Sequence, residues 1–238
     1  MTVDPAEVAD RLARLRARIA AAESAAGRSP GSVRLLLATK TQDADTIRAA
    51  ISADDGVPHP VLVGENRVQE LVAKGPALQD LGVTTHLIGP LQSNKINAAL
   101  RWASCIESVA SLDLAERLAA RATDLDVFVQ VNVSGEPTKH GVAPAEAGAL
   151  ARAVGALGGL RLAGWMTVGA NSPDARAVRA GYAVLRELRD EVVRSGAPGT
   201  ADARELSMGM SGDLELAIAE GATIVRVGSA IFGQRSKP

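Results

Sequence analysis

Eight short apolar runs, each followed by a longer segment of helical period, constrain this chain more than any other feature. The runs are Val33–Thr39, Val61–Gly64, Thr84–Ile88, Cys105–Val109, Val127–Val133, Leu160–Met166, Ala203–Ser207 and Thr223–Val227. Their length and apolar continuity predict strands buried on both faces. Between them, segments such as Leu112–Arg121, Ala145–Leu157 and Ala175–Val193 have helical spacing, and in the last of these Val178, Tyr182, Leu185 and Val192 share one face. Strand–helix alternation repeated eight times predicts an α/β protein, a single (β/α)8 TIM barrel. An open doubly wound sheet is the rival. The strand count, the length of 238 residues and the absence of a glycine fingerprint after the first strand favour closure. No linker rich in Pro, Gly or Ser divides the chain, so residues 1–238 are expected to form one domain.

An extra N-terminal helix precedes the first strand. Val8, Leu12, Leu15 and Ile19 draw one apolar stripe, Asp4-Pro5 provides a cap followed by proline in the first turn, and Gly27 to Gly31 end the helix. The segment Ser195–Asp202, with Gly196, Pro198 and Gly199, is expected to be a mobile surface connection.

Composition narrows the function. Apolar residues make up 47% of the chain and aromatics only 2%, so the core must be aliphatic. A net charge of −1 with scattered arginines gives no reason to expect nucleic acid or an anionic membrane as a partner. Cys105 is the single cysteine; it excludes an internal disulfide and lies in an apolar stretch, as a core residue would. The N-terminus lacks a signal-peptide pattern and no apolar run reaches the ~20 residues that span a bilayer, so a cytoplasmic protein is expected.

In a parallel barrel, function gathers where strands end and helices begin. Those ends carry Lys40; Gly64-Glu65-Asn66; Gly89 through Lys95; Asn132; Met166-Thr167; Met208-Gly209-Met210-Ser211-Gly212; and Arg226-Val227-Gly228-Ser229. Lys40 closes the first apolar run. An ammonium at the mouth of a core meets a low dielectric that disfavours its charge, and the resulting free amine is a candidate for imine formation with a carbonyl compound. Taken alone, a solvated loop lysine is the plainer account. The last two loops alter the balance, because Gly209, Gly212 and Gly228 allow close backbone approach and Ser211 and Ser229 add hydroxyl donors, as in a phosphate cradle. A phosphate site opposite an imine-forming lysine points to a carbonyl compound bearing phosphate, either pyridoxal 5′-phosphate (PLP) or a sugar phosphate. Arg226, two residues before Gly228, is placed to donate to a pyridine nitrogen and keep it unprotonated. Its plainer role is a pair with a carboxylate such as Glu65.

The chain resembles the pyridoxal phosphate homeostasis proteins, which share the barrel of the alanine racemase N-terminal domain. The resemblance runs through Ala38-Thr39-Lys40-Thr41, Gly64 to Glu70, His86 to Lys95, Gln130-Val131-Asn132 with Lys139 and Gly141, Gly164 to Thr167, Leu206 to Ser211 and Val225 to Gly233. It implies a Schiff base on Lys40, phosphate held by Ser211, Gly228 and Ser229 beside Met210, Arg226 facing the ring nitrogen, and Asn66 near the cofactor. Val63, Ala110, Trp165 and Ser229 depart from the family pattern, and Trp165 is expected to bear on packing under the cofactor. Lys139 becomes a candidate second amine near the pocket, although its loop and His140 otherwise read as solvent-exposed. His86 is expected to hydrogen-bond inside the barrel. Glu65 and Glu70 do not read as an acid–base pair.

Three functions compete: a PLP carrier in cofactor homeostasis, an amino-acid racemase, and a sugar-phosphate aldolase. Racemisation needs a base on the opposite cofactor face, which the related racemases draw from a second domain for which the chain after Phe232-Gly233 leaves no room. The only tyrosine, Tyr182, lies on a core-facing stripe. An arginine at the ring nitrogen weakens the electron sink that amino-acid chemistry exploits, and no proton-transfer partner for an aldolase stands near Lys40. The carrier is therefore expected, without strong catalysis and with PLP-dependent apo-enzymes as its macromolecular partners. A monomer is expected, with a weak dimer as the alternative.

Overall fold

A computed structural model describes residues 5–54 and 56–233. Eight parallel strands close a barrel in sequence order: β1 (Arg34–Ala38), β2 (Leu62–Glu65), β3 (Thr85–Leu87), β4 (Cys105–Val109), β5 (Leu125–Gln130), β6 (Leu160–Met166), β7 (Glu205–Ser207) and β8 (Ile224–Val227). β8 pairs with β1 through Leu36 and Arg226, which closes the ring. The helices between strands are α2 (Ala44–Ser52), α3 (Val68–Leu78), α4 (Ile96–Leu100), α5 (Leu112–Ala119), α6 (Pro144–Gly155), α7 (Ala175–Arg194) and α8 (Leu214–Ala219). A four-residue helix, α9 (Ser229–Phe232), follows β8. The barrel expected from alternation is the fold observed.

The extra helix is α1 (Pro5–Ala25). Its expected stripe is buried, at Val8, Leu12, Leu15 and Ile19, and it packs on α8, α2 and α9. Asp4, the expected cap, lies outside the described residues. Glu23 completes the helix exit, because its carboxylate accepts from the Val33 and Gly31 amides and the Ser32 hydroxyl, tying α1 to the entry of β1.

Period-two alternation divides the barrel residues into two layers. Leu35 and Leu37 on β1, Val225 and Val227 on β8 and Trp165 on β6 belong to the large cluster beneath the helices. Leu36, Leu62, Cys105, Phe128, Met166 and Ile224 fill the barrel interior. The outer layer is aliphatic apart from a few residues such as Trp165 and Tyr182. Cys105 is a buried core residue, as expected. The connection Ser195–Asp202 follows the surface but is pinned: Thr200 is fully buried and donates to Ala197 O, and a Cβ on Gly199 (φ +69°) would lie 1.9 Å from Gly155 O. A side chain there would collide with α6, so the expectation of a loosely held loop is corrected.

Candidate functional site

The carboxyl ends of the strands enclose a cavity of about 470 Å³, within the range of small-molecule sites. All seven residues singled out from the sequence line it: Lys40, Asn66, Met210, Ser211, Arg226, Gly228 and Ser229. They come from the loops after β1, β2 and β7 and from β8 with the turn that follows it. Asn132 does not line it. Its side chain instead organises the loop after β5, donating to the Glu136 and Lys139 carbonyls and accepting from Ser134 and Gly135. Ser93–Lys95 form a short 3-10 turn outside the lining.

Arg226 forms the floor. Because residues two apart on a strand face the same side, Arg226 shares the inward direction of Ile224 and is buried. One Nη donates to Thr167 O at 2.6 Å and the other to Ser207 Oγ at 2.9 Å. Ser207 in turn donates to Glu107 Oε2 at 2.6 Å, and His86 Nδ1 lies 2.6 Å from Glu107 Oε1. Burial pushes the Glu107 carboxyl upward, but the hydrogen bonds and charges of His86, Arg226 and Ser207 outweigh it and leave the group below its ordinary range. The counter-charge of Arg226 is therefore Glu107, through one serine hydroxyl, and not Glu65. His86 hydrogen-bonds inside the barrel as expected.

Lys40 lies on the rim beside Gly228, because β1 pairs with β8. It stands on a reverse turn in which Gln42 N donates to Thr39 O at 3.0 Å. Its side chain is exposed, so the protein alone does not supply the burial expected for this amine. Glu65, fully buried on β2, faces α3 rather than Arg226. Its Oε1 accepts from Thr39 Oγ1 at 2.6 Å and from Lys74 Nζ at 2.8 Å. Burial holds the Glu65 carboxyl above its ordinary value despite these donors. Glu70, one turn before Lys74 on α3, accepts from the same ammonium at 3.0 Å. The two glutamates are thus joined by a lysine that the sequence reading passed over. The i, i+4 spacing of Glu70 and Lys74 was the available signal.

The loops after β7 and β8 lie side by side on the cavity rim. Ser211 Oγ and Ser229 Oγ are 3.4 Å apart. Ser229 and Ala230 open α9, so their amides have no carbonyl one turn back within that helix. Gly209, at φ +89°, lets the first loop turn where a Cβ would meet Ala217 at 2.5 Å. Asp213 then fastens this loop, accepting from the Met210 amide at 2.6 Å and from the Tyr182 hydroxyl at 2.7 Å. Tyr182 is core, as its stripe indicated, yet its hydroxyl braces the site from behind.

Two expectations change. Trp165 belongs to the layer beneath the helices, where Nε1 donates to Ala203 O at 3.1 Å; its neighbour Met166 lines the cavity. Trp165 therefore does not pack under a ligand. Lys139 is half-buried rather than solvated, donating to Glu136 and to Gly169 O at 2.6 and 2.7 Å, whereas His140 is exposed.

A closed parallel barrel with these loops at its carboxyl end defines the class: the model of the alanine racemase N-terminal domain matches residues 9–236. Within that class, a pyridoxal phosphate homeostasis protein of Pseudomonas aeruginosa is 42% identical, with 96% of each chain covered. An unknown protein from Bifidobacterium adolescentis superposes with a TM-score of 0.90 at 46% identity, covering 97% of each chain. PipY of Synechococcus elongatus, solved with PLP bound, superposes at 0.79 and 36% identity, covering 95% of this chain and all of its own. The chain belongs to the pyridoxal phosphate homeostasis protein family.

Proposed function

We propose that this protein binds PLP in the cavity at the carboxyl end of the barrel and serves PLP homeostasis as a carrier rather than as an enzyme. The observation that carries the reading is the placing of an amine, a buried guanidinium and a hydroxyl-lined double turn around one cavity. These groups fit the cofactor's aldehyde, ring nitrogen and phosphate in chemical kind. PLP supplies an aldehyde with which a primary amine condenses, forming a C=N bond with loss of water. Lys40 provides that amine. Ser211, Gly228 and Ser229 bind the phosphate, with the open amides of α9 as further donors. Arg226, fixed by Thr167 and Ser207, donates to the ring nitrogen and keeps a proton off it by charge repulsion. Asn66 and Met210, also in the lining, would contact the bound cofactor.

Support for a carrier comes from the lining. Racemisation requires a second proton-transferring group on the face opposite the lysine, and among the described residues the lining contains no tyrosine, histidine or cysteine. Arg226 in addition withholds the protonated ring nitrogen on which carbanion chemistry depends. Residues 1–238 act as one PLP-binding unit in this proposal. PLP-dependent apo-enzymes are its recipients, and it works as a monomer or weak dimer. A cytoplasmic location is part of the proposal.

The test is a titration of the purified protein with PLP, followed by assays with alanine, serine and lysine. A visible absorbance band saturating at one PLP per chain, without amino-acid turnover, is expected. Robust racemisation or decarboxylation would overturn the carrier reading, and the lack of any saturable band would overturn PLP binding.

A further inference from the structure

Thr39 to Gln42 form the turn that displays Lys40, and its third residue, Thr41, has φ +69°. Turns with positive φ at that position ordinarily carry glycine or asparagine there, because a side chain clashes with its own backbone. For a β-branched residue the conformation is a genuine outlier that persists only when its surroundings enforce it. The central peptide of such a turn, which joins Lys40 to Thr41, can face either way, and holding it in one orientation fixes the form of the turn that carries Lys40. Here the Thr41 amide donates to Glu70 Oε2 at 2.8 Å. Glu70 is itself held by Lys74, whose ammonium also donates to Thr39 O at 3.0 Å, the carbonyl that opens the turn. Both ends of the Lys40 residue are therefore tied to α3.

We propose that Glu70, braced by Lys74, is a positioning residue that holds the Thr39–Gln42 turn in its strained form and so fixes where the turn presents Lys40 at the cavity. Glu65 completes the brace from the barrel wall, sharing Lys74 and bonding Thr39 Oγ1. The Thr41 amide and Lys74 outweigh the effect of burial on Glu70 and hold its carboxyl below the ordinary range, so the acceptor is charged at neutral pH. The inference rests on the reading of Lys40 as the imine-forming amine.

The experiment compares PLP titrations of the unsubstituted protein, Glu70→Ala, Glu70→Gln and the double variant Glu70→Ala with Thr41→Gly. Borohydride reduction and peptide mapping identify the labelled lysine in each. Alanine is a good helix former at this half-buried position of α3, so the fold is retained. Glu70→Ala is expected to weaken PLP binding about tenfold, the worth of one charge-assisted hydrogen bond. Glu70→Gln keeps an acceptor for the Thr41 amide but loses the charge, so it should weaken binding clearly less than Glu70→Ala. Glycine adopts positive φ without strain, so Thr41→Gly should recover most of the loss in the double variant. A merely structural contribution from Glu70 would not be rescued in this way. Undiminished affinity in Glu70→Ala, a loss that Thr41→Gly does not recover, or an equal loss in Glu70→Gln overturns the proposal while Lys40 remains labelled. A label elsewhere than Lys40 in the unsubstituted protein overturns the underlying imine reading as well.

Discussion

On the cavity floor charged groups are locked by partners on other strands, some across the barrel, whereas on the rim Lys40, Ser211 and Ser229 stand on turns. Arg226, Ser207, Glu107 and His86 come from β8, β7, β4 and β3 and form one buried chain of hydrogen bonds. The rim depends instead on backbone conformation, enforced by Glu70 on one side and by Asp213 with Tyr182 on the other. The difference teaches how the site divides its tasks. The floor sets a charge in place as a consequence of the barrel itself, so its failure should appear as lost stability. The rim sets directions, so its failure should appear as lost affinity in a folded protein.

The largest effect should come from breaking the floor. Glu107→Ala leaves Arg226 buried without its counter-charge, which should cost about 3–5 kcal/mol of stability in urea denaturation. A loss below about 1 kcal/mol, the scale of a surface pair, would contradict the buried chain. Next come the rim serines: Ser211→Ala and Ser229→Ala should each weaken PLP about tenfold, as loss of a hydrogen bond to a charged group does, with stability unchanged. Pyridoxal, lacking the phosphate, should bind each variant as it binds the unsubstituted protein; an equal loss for both ligands would remove the serines from the phosphate site.

The two buried glutamates sharpen the comparison through pH. Glu107 has a depressed folded pKa, so its contribution is present above the ordinary carboxylate range and is lost as pH falls through the folded value. Glu65 has a raised one, so its contribution is present below the ordinary range and is lost as pH rises through the folded value. Stability measured between pH 4 and pH 7 should therefore fall for Glu107→Gln and rise for Glu65→Gln, each relative to the unsubstituted protein, as pH increases. Parallel slopes would contradict the assignment. The smallest effect is expected from Tyr182→Phe, which removes one strut of the Met210 loop and should weaken PLP binding by about 1 kcal/mol, read by titration of the folded variant.

Much of this architecture is legible in the sequence because apolar runs and helical periods are local. Lys40, Asn66, Met210, Ser211, Arg226, Gly228 and Ser229 lie among the strand ends, which a parallel barrel brings together whatever their separation in sequence, but strand ends also offered Asn132 and Gly89 to Lys95, and the family resemblance narrowed the set. The floor network was not legible in the same way. Glu107 and Ser207 are 100 positions apart, and each looks like an ordinary polar residue in an apolar run. Only the closed register shows that both face inward with Arg226. Trp165 illustrates the same point in reverse: one step along β6 from Met166, it faces the helices instead of the cavity. The turn at Thr41 was hidden because its positive φ contradicts local preference and is imposed by α3.

The central claim is that one amine on the rim captures the cofactor. Reduction of the PLP-loaded protein with borohydride, followed by peptide mapping, tests it most directly. A single pyridoxyl label on Lys40, absent from Lys40→Ala, is the result this account predicts. A label on another lysine, or an equal yield of labelled protein from Lys40→Ala, would contradict it.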